Sequence, residues 1–349
     1  FQERKLNPID SQKLNFCDFK VGSPDLSAVT LASKHKTTTK RTINWKHFIA
    51  SETKIARILP FLQTRHMQML YELLAFAIAS SYVFAIYFRQ PSDLKSKDRN
   101  DISVIRYRLQ RVTLLCVGLV ILVPLLVPRT FKDNIRQIGI IPSLTKSGSI
   151  STDFINIVYS LCFINILFAS SIFQIFVEGY QSTIQNVFTT PMIYNFRDYI
   201  FAPITEELIY RGLVLLVVSK SCPNFIKYTP YLFGIAHFHH ALQLYRKQTL
   251  NLSCIAVSTL FQFTYTSIFG YLANWIYFTT DFNLWCPILV HLFCNFYGFP
   301  TLTIDSKRPV VHAVYYLLVI GGIWHTYLEI ARWEEMAEES AAKCHCTGG

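Results

Sequence analysis

The chain has 349 residues, 51% hydrophobic and only 16% charged, whereas soluble proteins carry about a quarter charged residues. Its net charge of +11 does not signal nucleic-acid binding, because there is no Gly-rich phosphate loop and no soluble module interleaving aromatic and basic residues. Of the 33 Lys and Arg, 12 lie before residue 70 and most others fall between long apolar runs, where basic residues face membrane lipid headgroups.

Runs close to 20 apolar residues match the hydrocarbon thickness of a bilayer. Their length excludes barrel strands, so the fold class is all-α: a polytopic transmembrane helical bundle of about eight membrane helices. Residues 1–66 are polar, basic and without periodicity, which predicts a mostly disordered N-terminal tail. The bundle is expected over 67–330. Its spans are predicted at 70–88, 112–127, 154–177, 199–219, 228–245, 251–278, 284–299 and 310–328. The sixth is too long for one upright helix, which implies tilt or a re-entrant piece. A short acidic tail, 331–349, closes the chain. Cys116, Cys162, Cys254, Cys286 and Cys294 sit inside apolar runs as buried thiols, not as a disulfide framework.

Ionisable groups at membrane depth are costly, so each needs a reason. Span four carries Glu206-Glu207-Leu-Ile-Tyr-Arg211. Glu207 and Arg211 stand four apart and share a helix face, the spacing of an ion pair. Glu206 points about 100° away and is left without a local cation in a low-dielectric setting, that of a general base. Span five adds His237, His239 and His240. Span seven adds His291 and Asn295, again four apart. Together they suit amide hydrolysis, with Glu206 and His237 deprotonating a water while His291 and Asn295 donate to the oxyanion. As bland alternatives, the Glu–Arg pair is a structural tie and each His a helix contact. The confinement of all three clusters to residues 206–295 argues against coincidence.

The segment Ala202-Pro-Ile-Thr-Glu206-Glu207-Leu-Ile-Tyr-Arg211 resembles the first motif of the CAAX prenyl protease 2 family. Phe233-Gly-Ile-Ala-His237-Phe-His-His, Phe261-Gln-Phe-Thr-Tyr-Thr and His291-Leu-Phe-Cys-Asn295-Phe-Tyr-Gly-Phe-Pro resemble its later ones. The match covers about residues 195–300, a protease core. The resemblance implies an eight-helix endopeptidase of the endoplasmic reticulum membrane. Its substrates would be farnesylated or geranylgeranylated CaaX proteins such as Ras-like small GTPases, from which the aaX tripeptide is removed. It also implies that Glu206 and His237 activate water, that His291 and Asn295 form the oxyanion pocket, and that Glu207 and Arg211 support the geometry.

No cofactor is expected. Glu206, His237 and His291 are the alternative zinc ligands, but no His-Glu-x-x-His helix is present, which favours a metal-independent mechanism. A di-iron lipid desaturase needs more histidines than the four between residues 200 and 300. A transporter or scaffold with Glu206, Glu207 and Arg211 as helix ties is the non-enzymatic rival.

Overall fold

A computed structural model describes residues 65–247, 251–299 and 304–346; the predicted tail lies outside the described residues up to position 64. Among the described residues all regular structure is helical, with no strand. The principal helices are α1 (Arg65–Tyr87), α2 (Ile102–Leu126), α3 (Phe131–Ile138), α4 (Ile150–Leu167), α5 (Ala169–Glu178) and α6 (Tyr180–Thr189). After them come α7 (residues 192–221), α8 (Thr229–Ala236), α9 (His239–Lys247), α10 (Leu252–Thr279), α11 (Trp285–Tyr297) and α12 (Pro309–Cys346).

Five helices, α1, α2, α4, α10 and α12, are long and apolar enough to cross a membrane, so the chain is a multi-pass membrane protein. Two of the expected spans come in pieces. The third breaks at Phe168 into α4 and α5, and the fifth breaks at residues 237–238 into α8 and α9. The sixth is a single helix of 28 residues, about 42 Å long at 1.5 Å per residue, so it must tilt. The last runs on to Cys346, so the expected acidic tail continues a helix through that residue. Cys162 and Cys254 depart from the buried-thiol expectation, the first being exposed and the second disulfide-bonded.

Polar side chains start these helices where the chain enters the bundle. Asp101 accepts from the Ser103 amide before α2, Thr130 from Asp133 before α3, Ser149 from Thr152 before α4, and Asn251 from Cys254 before α10. Each occupies one of the amides that a helix start leaves without a partner. At the other end of α3, Gly139 takes a left-handed φ of 68°, and a Cβ there would fall 1.6 Å from the Phe282 carbonyl oxygen. That approach lets the Gly139 carbonyl accept from Leu284 N at 3.1 Å, which sets the start of α11.

The core centres on α7, where every residue from Glu207 to Ser219 is buried. The helix contains two wide π turns, at Phe196–Phe201 and Leu208–Val214, flanking the α-helical turn Ala202–Glu207. Such turns are frequent at functional sites. Around α7 pack α1, α8, α10 and α11, and α8 lies closely along α10. A Cβ on Gly234 would come within 2.2 Å of Ser267 Oγ, and one on Gly270 within 3.0 Å of the Pro230 backbone.

Candidate active site

The sequence places Glu206 and Glu207 side by side, and the helix turns them to different tasks. Glu207 is fully buried, and its Oε1 accepts from Arg211 Nη1 at 3.1 Å and from His291 Nδ1 at 2.7 Å. The expected ion pair is therefore present. Arg211 is itself 1% exposed; its Nη2 donates to the Gly270 carbonyl at 3.3 Å. Its guanidinium lies over the rings of Phe233 and Phe269, 4.7 and 5.5 Å from their centroids. Buried charges hold only with a partner and hydrogen bonds, and this pair has both.

Glu206 remains half-buried. Its Oε1 accepts from the Tyr82 hydroxyl at 3.3 Å, and the same hydroxyl lies 3.3 Å from Thr205 Oγ1. Its Oε2 faces His291 Nε2 at 4.0 Å, too long for a direct hydrogen bond but a span that one water can bridge. Tyr82 stands 124 positions earlier, on α1, and was not among the candidate residues. Nothing in the apolar pattern of that helix singles it out.

The break between α8 and α9 gives the histidines their orientation. The amides of His237 and His240 bond three residues back, to Gly234 and His237, instead of four. That tightening frees the carbonyls of Phe233 and Ala236. His237 Nδ1 takes the first at 2.9 Å and His239 Nδ1 the second at 2.7 Å. A carbonyl can only accept, so the proton of neutral His237 sits on Nδ1 and its Nε2 is left as an acceptor. The ring of Phe233 ties the site together, with His237 at 4.8 Å and His291 edge-on at 6.0 Å.

Among the described residues, no hydrogen bond or ion pair joins Glu206 directly to His237 or to Asn295. The imidazole nearest Glu206 is His291. Asn295 lies at the exposed end of α11, where its Nδ2 donates to the Asp198 carbonyl at 2.9 Å. His240 turns away, with Nδ1 3.2 Å from Arg99 Nη1. Among the described residues no three His, Cys, Asp or Glu side chains converge as a metal site.

Beside these groups an apolar cavity of about 320 Å³ opens between α1 and α8. Phe76, Ala79, Val83, Phe84, Leu232 and Ile235 line it, and His239 stands at its edge. The helix that forms one wall, α8, is the one that ends at His237.

Residues 188–297 match the family described as type II CAAX prenyl endopeptidase, Rce1-like. The chain is 28% identical over 247 residues to CAAX prenyl protease 2 of Saccharomyces cerevisiae, covering 64% of this chain and 78% of that protein. It is 26% identical over 261 residues to the probable CAAX prenyl protease 2 of Schizosaccharomyces pombe, covering 73% and 91%. With CAAX prenyl protease 2 of Homo sapiens it shares 34% over 122 residues, covering 32% and 35%. No solved structure matches. The matched segment contains every candidate residue of the site, and over it the chain is similar to the Rce1-like type II CAAX prenyl endopeptidases.

Proposed function

We propose that this chain removes the C-terminal tripeptide from prenylated CaaX proteins, Ras-like small GTPases among them, in the endoplasmic reticulum membrane. The observation that carries the reading is Glu206: a carboxylate within the bundle, with no Lys or Arg ion-paired to it among the described residues, facing a histidine across a gap that fits one water. Its neighbour Glu207 has both a cation and an imidazole. One acid is committed to structure and the other is left for chemistry.

Glu206 takes a proton from the attacking water, whose oxygen bonds to the carbonyl carbon of the prenylated cysteine. His237 and His291 each present Nε2 toward the reaction. The oxyanion is held by the second amide hydrogen of Asn295, the first being given to Asp198, and by His291 once Nε2 also carries a proton, its Nδ1 already donating to Glu207. The proton then passes to the leaving nitrogen as the C–N bond breaks, releasing a prenylcysteine carboxylate and a free tripeptide. The apolar cavity beside α8 accepts the isoprenoid, as its size and lining suit a lipid-like ligand.

The proposed steps use no metal; among the described residues Glu206, His237 and His291 do not converge as a ligand set.

The test is release of the tripeptide from a farnesylated CaaX peptide by the full chain in lipid vesicles, with and without a chelator. Cleavage that survives the chelator is the expected result. Loss restored by added zinc would replace the metal-free mechanism, and absence of cleavage by the untreated chain would remove the protease reading.

A further inference from the structure

A second polar cluster lies beside the site, where two guanidiniums have no ion-paired carboxylate among the described residues. Arg99, in the loop between α1 and α2, donates to the ring nitrogen of His240, at 3.2 Å. Arg108, on the second turn of α2, lies over the Tyr87 ring at 5.4 Å, and its Nε is buried without a hydrogen-bond partner. Among the described residues, neither has a carboxylate oxygen within ion-pairing distance.

The neighbouring acids do not cancel this charge. Asp198 is gripped by Arg197 through two bonds, of 2.6 and 2.8 Å. Asp98 shares the loop with Arg99 and offsets part of the charge. Burial, and then the charge of Arg197, holds the Arg99 guanidinium below its ordinary pKa, the signature of a cation in partly desolvated, positively charged surroundings. Arginine stays ionised under such conditions, and its planar fork matches a carboxylate.

The cluster lies against the reaction site on two sides. The rings of His237 and His240 are 5.9 Å apart, and His240 touches Arg99. Asn295 is bonded to the Asp198 carbonyl, beside Arg197. A tripeptide in extended form reaches about 10 Å, and His240 links the two ends, its ring 5.9 Å from that of His237 and its Nδ1 3.2 Å from Arg99 Nη1.

We infer that Arg99, together with Arg108, holds the free C-terminal carboxylate of the tripeptide being cut away. The inference rests on the protease reading and adds to it a reason for cutting three residues from a chain end. The groups that hold the scissile bond and the cations that hold the terminus are spaced as a ruler.

The test compares two farnesylated peptides, identical except for a C-terminal carboxylate or carboxamide, cleaved by the full chain in vesicles of neutral or part-anionic phospholipid. The intact chain is expected to favour the acid by about 10- to 100-fold in kcat/KM, mostly through KM, as a charge-assisted hydrogen bond made before the transition state requires. Arg99→Gln or Arg108→Gln should bring that ratio to within about twofold of one, while Lys132→Gln on α3 leaves it unchanged. The ratio is measured within one preparation, so partial misfolding of a variant does not affect it. Equal cleavage of both peptides by the intact chain would overturn the assignment, as would an unchanged ratio in Arg99→Gln. A loss that follows anionic lipid content at constant ratio would assign the arginines to headgroups instead. Cleavage of neither peptide by the intact chain would take down the protease reading itself, and this assignment with it.

Discussion

The helices α7 and α12 are both apolar, yet they meet opposite surroundings. From Glu207 to Ser219, α7 has no exposed residue, and its charges are matched by partners on α10 and α11. By contrast, α12 turns Leu317, Ile320 and Ile323 outward at 60% exposure or more. In water such a face would mark an interface, whereas in a bilayer it is the ordinary contact with lipid. A helix buried on all sides is the one that can carry ionisable groups, because only there can other helices supply their counterparts.

The comparison is tested most sharply by Glu206→Ala. Turnover on a farnesylated peptide should fall by about 10³-fold, while the melting temperature in detergent stays near that of the parent chain. A similar loss of heat stability would make Glu206 a structural residue like its neighbour. Glu207→Ala comes next and has the opposite signature. It leaves Arg211 buried and unpaired, at a cost of about 3–5 kcal/mol, seen as early unfolding as well as lost rate. Combining it with Arg211→Met should recover much of the stability and none of the activity. If the single variant unfolds no earlier than its parent, the buried pair is not what holds α7 in place.

A smaller effect is expected at Tyr82. Tyr82→Phe deletes one hydrogen bond to Glu206, worth about 1 kcal/mol, and should lower kcat by roughly fivefold with KM little changed. An equal rise in KM would place the hydroxyl on the substrate instead of on the carboxylate. The smallest effect belongs to α12. Leu317→Ala should alter stability by no more than about 0.5 kcal/mol, and a larger shift would mean that this face packs against protein.

Much of α7 was legible from sequence because its logic is local. Two acids and an arginine at fixed helical spacing state which acid is paired and which is left over, and the structure agrees. The share of His291 was legible only in part. Its place near the acids followed from motif order, but its bond to Glu207 depends on how α11 crosses α7. Tyr82 was hidden, since a tyrosine in an apolar span carries no mark of its destination and 124 residues separate it from Glu206. The break after Ala236 was hidden too. Hydropathy runs on through residues 228–245, and the signal lay in the histidines, whose ring nitrogens replace amides at a helix end. Arg99 and Arg108 read only as part of a basic loop.

That replacement gives His237 two duties. Its Nδ1 stops a helix by capping Phe233, and the same bond decides which nitrogen stays bare for the substrate. A side chain put in its place must therefore offer a donor at one end and a base at the other, a fixed distance apart. Asparagine and glutamine can satisfy the carbonyl but bring no base, so they should yield a chain that assembles and sits idle. Among the twenty residues imidazole alone meets both demands, which makes this position less replaceable than its proposed role in catalysis would require by itself.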